Sequence, residues 1–137
     1  MTTKDWFSRG RRLDAHINTL LETIDREKQA LLRMTANLSG VVVDGSRDPH
    51  RFDRLAILED SINAEIDRLY EIKLEILDVI KRLDDMRYRE VLTKYYINMK
   101  SFEQIAVDMN YSYVHITRLH GWALKAAEKV MGGDAVK

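Results

Sequence analysis

The chain has 137 residues, of which 45% are hydrophobic and 32% are charged, and its 22 basic residues balance its 22 acidic ones. This length fits one domain, or one small domain with a helical extension, and excludes a large enzyme. The chain has no cysteine, which excludes disulfides and thiolate metal sites, and it has no apolar run of the roughly 18 residues that a spanning helix needs. Its many charges and single proline favour long exposed helices, so we expect an all-α, cytoplasmic protein.

The first predicted element is one long helix from Asp14 to about Leu38. Apolar residues recur there at helical spacings of three, four and seven. They are Leu13, Ile17, Leu20, Ile24, Leu31 and Leu38. The segment 39–49 contains two glycines and a proline, which predicts a linker.

A second apolar stripe after Pro49 predicts a second long helix. Its members are Leu55, Leu58, Ile62, Ile66, Leu69, Ile76, Ile80 and Leu83. Two helices of similar length around one loop suit an antiparallel, coiled-coil-like hairpin over residues 1–85. Because two helices alone bury only one stripe each, we expect a homodimer through these helices.

Three short helices are predicted next, forming a module over residues 86–131 that precedes a flexible tail at 132–137. Their predicted spans are Met86–Ile97, Ser101–Met109 and Ser112 to about Met131. Ser101 and Gln104 have the spacing of a capping box, and Ser112 is placed to cap the last helix.

The second and third of these helices have the pattern of a helix-turn-helix. This motif needs a small residue where its helices cross, which Ala106 supplies, and a turn residue that tolerates positive φ, which Asn110 supplies. The predicted shared core contains Ile105, Met109, Tyr111, Ile116 and Leu119. Trp122 follows Leu119 by three residues and is predicted to belong to this core as well.

The candidate site is a DNA-binding face on the last helix. With Ile116 and Leu119 turned inward, the helical period leaves an outward side that could enter a major groove. The residues predicted to read bases are Tyr113, His115, Thr117 and Arg118, with Ser112 and Gly121 beside them, and those predicted to contact phosphates are Lys94, Lys100 and Lys125. Residues 86–137 carry eight Lys and Arg against five Asp and Glu, so this part of the chain is mildly basic.

Three segments carry a resemblance to a known family. They are Tyr88-Arg89-Glu90-Val91-Leu92 through Tyr95-Tyr96, Ser101-Phe102-Glu103-Gln104-Ile105-Ala106, and Arg118-Leu119-His120-Gly121-Trp122-Ala123-Leu124-Lys125. Over about 86–131 the chain resembles sigma-70 region 4. Its layout is similar to the ArpU and RinA type of late transcription regulators from phages of Gram-positive bacteria. The resemblance implies a regulator that binds promoter DNA and activates late phage genes or contacts RNA polymerase. Nothing in the 85 preceding residues looks like the region of a sigma factor that melts and reads the −10 element, so we do not expect a complete sigma factor.

Other readings stay open beside this regulator. A DNA-packaging adaptor of the small terminase type also pairs a helix-turn-helix with helical oligomerisation, and a coiled-coil interaction protein would bind no DNA.

The basic cluster Arg9, Arg11 and Arg12 is either a second phosphate-binding patch or a solvated surface. The four histidines are scattered, and no nucleophile elbow, phosphate loop or dinucleotide fingerprint occurs. We therefore expect no enzyme activity, no metal and no cofactor.

Overall fold

The computed structural model describes residues 1–37 and 50–132, and every regular element in this part of the chain is helical. The elements are α1 (Thr3–Asn37), α2 (Arg51–Ile80), α3 (Met86–Leu92), a π-helical segment (Thr93–Ile97), α4 (Phe102–Met109) and α5 (Tyr113–Val130). The all-α prediction is confirmed. The predicted linker and residues 133–137 of the predicted tail lie outside the described residues.

Helix α1 begins at Thr3, well before the predicted start at Asp14. Thr2 and Asp5 form a reciprocal cap: the Asp5 amide donates to Thr2 Oγ1 at 3.0 Å, and the Thr2 nitrogen donates to Asp5 Oδ2 at 3.2 Å. These bonds occupy free backbone N–H groups at the helix start, and the one from the Thr2 nitrogen lowers the pKa of the Asp5 carboxyl. Phe7 lies in the turns of α1 that precede Asp14, and its side chain is completely buried.

The chain divides into two compact units, one made of Met1–Leu13 with Leu69–Lys137 and the other of Asp14–Arg68. This division differs from the predicted boundary at residue 85. The reason lies in the packing of the N-terminal turns, where the Phe7 ring lies 5.2 Å from that of Tyr96. The first unit therefore joins the N-terminal turns of α1 and the C-terminal helices around one core.

The core of the first unit is built from α1, α2, α3, the π-helical segment, α4 and α5. Its largest fully buried side chains are Tyr96, Phe7, Ile76, Leu92, Ile105, Ile116, Leu119 and Val91. Residues 86–97, predicted as one helix, change from α to π geometry at Thr93, and the Asn98 amide donates to the Thr93 carbonyl at 3.0 Å. Within the π-helical segment Tyr96 is buried, and Tyr95 stacks on Phe102 with ring centroids 4.4 Å apart.

The second unit contains segments of α1 and α2 with few buried side chains. Ile17, Ile24 and Ile62 are buried as predicted, and Lys28 and Glu59 form an ion pair of 3.1 Å between the two helices. Ile66, predicted in the buried stripe, is 43% exposed. None of the helices in the described part of the chain is long and apolar enough to span a membrane.

Candidate nucleic-acid interface

Helices α4 and α5 each begin at a side-chain cap. At the start of α4, Ser101 Oγ accepts from the Gln104 amide at 3.2 Å, and Gln104 Oε1 accepts from the Ser101 amide at 2.9 Å. At the start of α5, Ser112 Oγ accepts from the His115 amide at 3.1 Å. Both predicted caps are confirmed. The Ser112 cap therefore fixes the residue at which α5 begins.

Asn110 makes the sharp change of direction between these caps. It has φ 60° and ψ 44°, a left-handed conformation that asparagine adopts more readily than most side chains. The amide of Tyr111 then donates to the Ala106 carbonyl at 3.0 Å, which closes the end of α4. Ala106 itself is buried. The roles predicted for Ala106 and Asn110, a small buried residue and a turn residue at positive φ, are both found in the structure.

One face of α5 is completely packed. Its buried residues are Ile116, Leu119, His120, Ala123 and Ala127. Two predicted core positions are wrong: Trp122 is 46% exposed, and Tyr111 is 36% exposed. The buried stripe includes Leu119, His120 and Ala123, and Trp122 lies at the edge of this stripe, where half of its side chain is exposed. The structure therefore adds Trp122 to the outward surface.

His120 is buried and holds α5 against the π-helical segment. Its Nε2 lies 2.6 Å from the hydroxyl of buried Tyr96. Burial, and then the positive charges of Lys4 and Arg11, lower the pKa of His120 to about 4. Burial likewise raises the pKa of Tyr96. Both groups are neutral at pH 7, so this is a structural hydrogen bond inside the core and gives His120 no surface role.

Two of the predicted phosphate contacts are partly neutralised by a carboxylate. Lys100 Nζ pairs directly with Asp108, and Lys94 Nζ lies 3.7 Å from the same Asp108 oxygen. The hydrogen bond from Lys100 is the largest cause that lowers the pKa of Asp108. Sequence reasoning missed this pairing, although Asp108 lies on the same short helix as the predicted motif. The two lysines therefore carry one positive charge in excess of their partner.

The outward side of α5 carries the remaining candidates. Tyr113 is 48% exposed at the first turn, with its ring 6.3 Å from that of Phe102. The side chains of Arg118 and Lys125 are exposed and form no hydrogen bond or ion pair with any residue that the structure describes. Val114, which the sequence analysis did not single out, is 54% exposed on the same side. This surface combines available cations with apolar groups.

Thr117 and His115 are partly exposed and already have neighbours. Thr117 Oγ1 donates to the Val114 carbonyl at 2.7 Å, so its hydroxyl proton is used while the oxygen can still accept. The His115 ring lies between the rings of Tyr111, at 4.5 Å, and Trp122, at 6.4 Å. His115 thus belongs to an aromatic row along one edge of α5, beside the cationic surface rather than in its middle.

The N-terminal arginines hold the first unit together. Arg11 donates to the Tyr95 carbonyl at 2.8 Å, and its guanidinium lies 3.9 Å from the centre of the Tyr95 ring. Arg9 pairs with Glu75 at 2.8 Å. The alternative of a second phosphate-binding patch is therefore not favoured for these two side chains, whose charges are engaged within the protein. The described residues also contain no group of three or more His, Cys, Asp or Glu that could hold a metal ion.

Comparison with known proteins adds no relative to this description. No protein family matches the chain, and no curated protein or solved structure does.

Proposed function

We propose that this protein binds duplex DNA through the outward side of α5, with α4 and α5 acting as a helix-turn-helix. The observation that carries the proposal is the pair of exposed cations Arg118 and Lys125, which no described carboxylate neutralises, on a helix whose first turn is fixed by caps. A helix of this kind fits the width of a major groove, and cations that remain available can meet phosphates and guanine edges.

Each exposed residue has a role in this proposal that follows from its chemistry. Arg118 can donate two hydrogen bonds to a guanine, and Val114 offers an apolar surface to a thymine methyl group. Lys125 lies about two helical turns beyond Arg118, where a phosphate contact positions the helix without reading sequence. Tyr113 lies at the first turn, where its hydroxyl can reach a base or a phosphate.

Asp108 limits the contribution of Lys94 and Lys100. Their ammonium groups already contact a carboxylate, so each phosphate contact would first have to loosen an existing ion pair. We therefore assign most of the affinity to α5 and a smaller, long-range attraction to these two lysines.

The transcriptional part of the proposal depends on the resemblance to sigma-70 region 4 and to phage late regulators. In that role the protein would bind promoter DNA and contact RNA polymerase. The exposed aromatic row of Tyr111, His115 and Trp122 lies beside the DNA-facing surface and offers an area where a protein partner could pack. This row also favours the second candidate, an interaction protein that binds no DNA.

We further propose that the chain forms a homodimer through its long helices. In the described part of the second unit few side chains are buried, and several large apolar ones are exposed. These are Leu21, Leu32, Phe52, Ile57 and Ile66. A dimer would cover part of this apolar area, whereas a packaging adaptor would form a large ring, and light scattering after size exclusion distinguishes the two masses.

The test of DNA binding is selection of bound duplexes from a random-sequence library, followed by titration of the best sequence over a salt series. We expect affinity to fall steeply with salt, because cations that contact phosphates release counterions. Arg118→Ala should weaken binding by about 1–3 kcal/mol and relax the preference at one base pair. No enriched sequence and no binding at low salt would refute the proposal.

The matched control is Lys81→Ala. Lys81 is an exposed cation at the end of α2, close to Asp78 and far along the chain from α5. The substitution Lys81→Ala removes one positive charge, as Arg118→Ala does, and leaves the proposed contact surface on α5 unchanged. Equal weakening by Lys81→Ala and Arg118→Ala would show that only net charge matters, and would contradict the assignment to α5.

A further inference from the structure

Gly121 lies in the middle of α5, and neither the backbone geometry nor the packing of the described residues requires a glycine there. Glycine weakens a helix relative to alanine, because it loses more conformational freedom on folding. Gly121 has regular helical geometry, and the glycine with positive φ in the described part of the chain is Gly132. The backbone conformation at Gly121 is therefore one that any residue could adopt.

Packing does not require this glycine either. A Cβ atom added at Gly121 would meet no atom of the described residues within 4 Å, whereas one added at Gly10 would lie 3.7 Å from Ile72 Cγ2 and 3.8 Å from Ile76 Cδ1. Gly10 thus faces a neighbouring helix, and Gly121 faces open space. The absent side chain at Gly121 leaves bare helix backbone on the outward surface.

This bare backbone lies between the two available cations. Val114, Arg118, Gly121 and Lys125 follow one another at spacings of four, three and four, so they share one side of α5. Arg118 precedes Gly121 by about one turn, and Lys125 follows it by about one turn. A polyanion held by both cations would come closest to the helix at Gly121, where no side chain separates it from the backbone.

We propose that Gly121 is the point of closest approach between α5 and the DNA backbone, with Arg118 and Lys125 on either side of the contact. The proposal rests on the DNA-binding function proposed above and states how far the contact extends: the duplex touches α5 beyond its first turn, as far as Lys125. Glycine is the residue that allows a ligand to approach a backbone closely, so here its conformational cost is offset by contact with the partner. A methyl group at this position would hold the DNA backbone away from the helix and weaken the phosphate contact of Lys125.

The experiment compares wild type with Gly121→Ala in two measurements. One is thermal unfolding, and the other is fluorescence anisotropy with the selected duplex and with a mixed-sequence duplex of about 21 base pairs, two helical turns. We expect Gly121→Ala to raise Tm by about 3 °C, because alanine favours the helix. At the same time we expect it to weaken binding to both duplexes by about tenfold or more and to make the salt slope shallower by about 1.

Ser61→Ala is the matched control, because Ser61 is an exposed residue inside α2 and the change also raises helix propensity. Its DNA affinity should equal that of wild type. Unchanged affinity for Gly121→Ala, with binding still weakened by Arg118→Ala, would overturn the contact at Gly121 and leave the proposed function intact. A lower Tm for Gly121→Ala would overturn it as well, because the glycine would then have a packing role.

Two further outcomes separate this inference from the proposed function. If wild type binds neither duplex at low salt, the DNA-binding function itself fails. If wild type binds polyglutamate as tightly as the duplexes and Gly121→Ala weakens all of them equally, this surface accepts any polyanion, an acidic protein included, and the assignment to the DNA backbone is wrong.

Discussion

The burial of His120 beside Tyr96 should make the stability of this protein depend on pH. The His120 pKa is lowered from 6.5 to about 4 in the folded protein, chiefly by burial. As pH falls below about 6.5, the unfolded chain binds a proton at this histidine and the folded protein does not. The unfolding free energy therefore falls with acid between these two pH values and is fully retained above them.

The size of the effect follows from the pKa difference. Each pKa unit corresponds to about 1.4 kcal/mol, so a shift from 6.5 to about 4 represents about 3 kcal/mol of unfolding free energy. His120 is 7% exposed, so solvent screens little of this term. A loss of this size is a large part of the stability of a typical small domain, on the order of 5–15 kcal/mol.

The assay is urea denaturation of wild type and His120→Gln at several pH values from about 7 to about 4.5. Glutamine can still accept a hydrogen bond from Tyr96 but does not titrate, so the variant should lose stability much more slowly as pH falls. His16→Gln, at an exposed histidine of α1, is the control and should keep the wild-type pH dependence. Equal pH dependence in wild type and His120→Gln would refute this reasoning.

Two further results are expected from the surface of the first unit. Asp108→Asn removes the carboxylate shared by Lys94 and Lys100, so DNA binding should strengthen and the salt slope steepen by about 1 to 2, measured by anisotropy; an unchanged slope would mean that these lysines do not face the duplex. Trp122→Ala should lower the unfolding free energy by less than about 1 kcal/mol, because the side chain is half exposed, and a loss of about 3–5 kcal/mol in denaturant unfolding would show a core role instead.

The local features of the C-terminal helices could be predicted because their causes are local. A capping box needs two residues three apart, and Ser101 and Gln104 form both of its hydrogen bonds. A left-handed turn needs a residue that tolerates positive φ, and Asn110 has φ 60°. These interactions lie within a few residues of chain, so the sequence pattern is sufficient to identify them.

Features that depend on distant residues could not be predicted in this way. The ion pairs of Asp108 with Lys94 and Lys100 join residues from different elements, and their charges had been counted as available. The early start of α1 does have a local signal, the cap formed by Thr2 and Asp5, but apolar spacing alone does not detect it. The exposure of Trp122 shows the same limit, since a spacing of three from a buried residue also fits the edge of the helix.

The N-terminal turns explain how a short C-terminal module can hold its proposed DNA-binding helix rigidly. Phe7 fills the centre of the core beside Tyr96, and Arg11 binds the carbonyl of Tyr95 and lies over its ring. Both tyrosines contact His120 on the buried face of α5. A side chain at the start of the sequence is therefore linked through one aromatic layer to the helix that carries Arg118. Three short helices bury little area by themselves, and this added layer supplies the packing that keeps the outward face of α5 in one orientation.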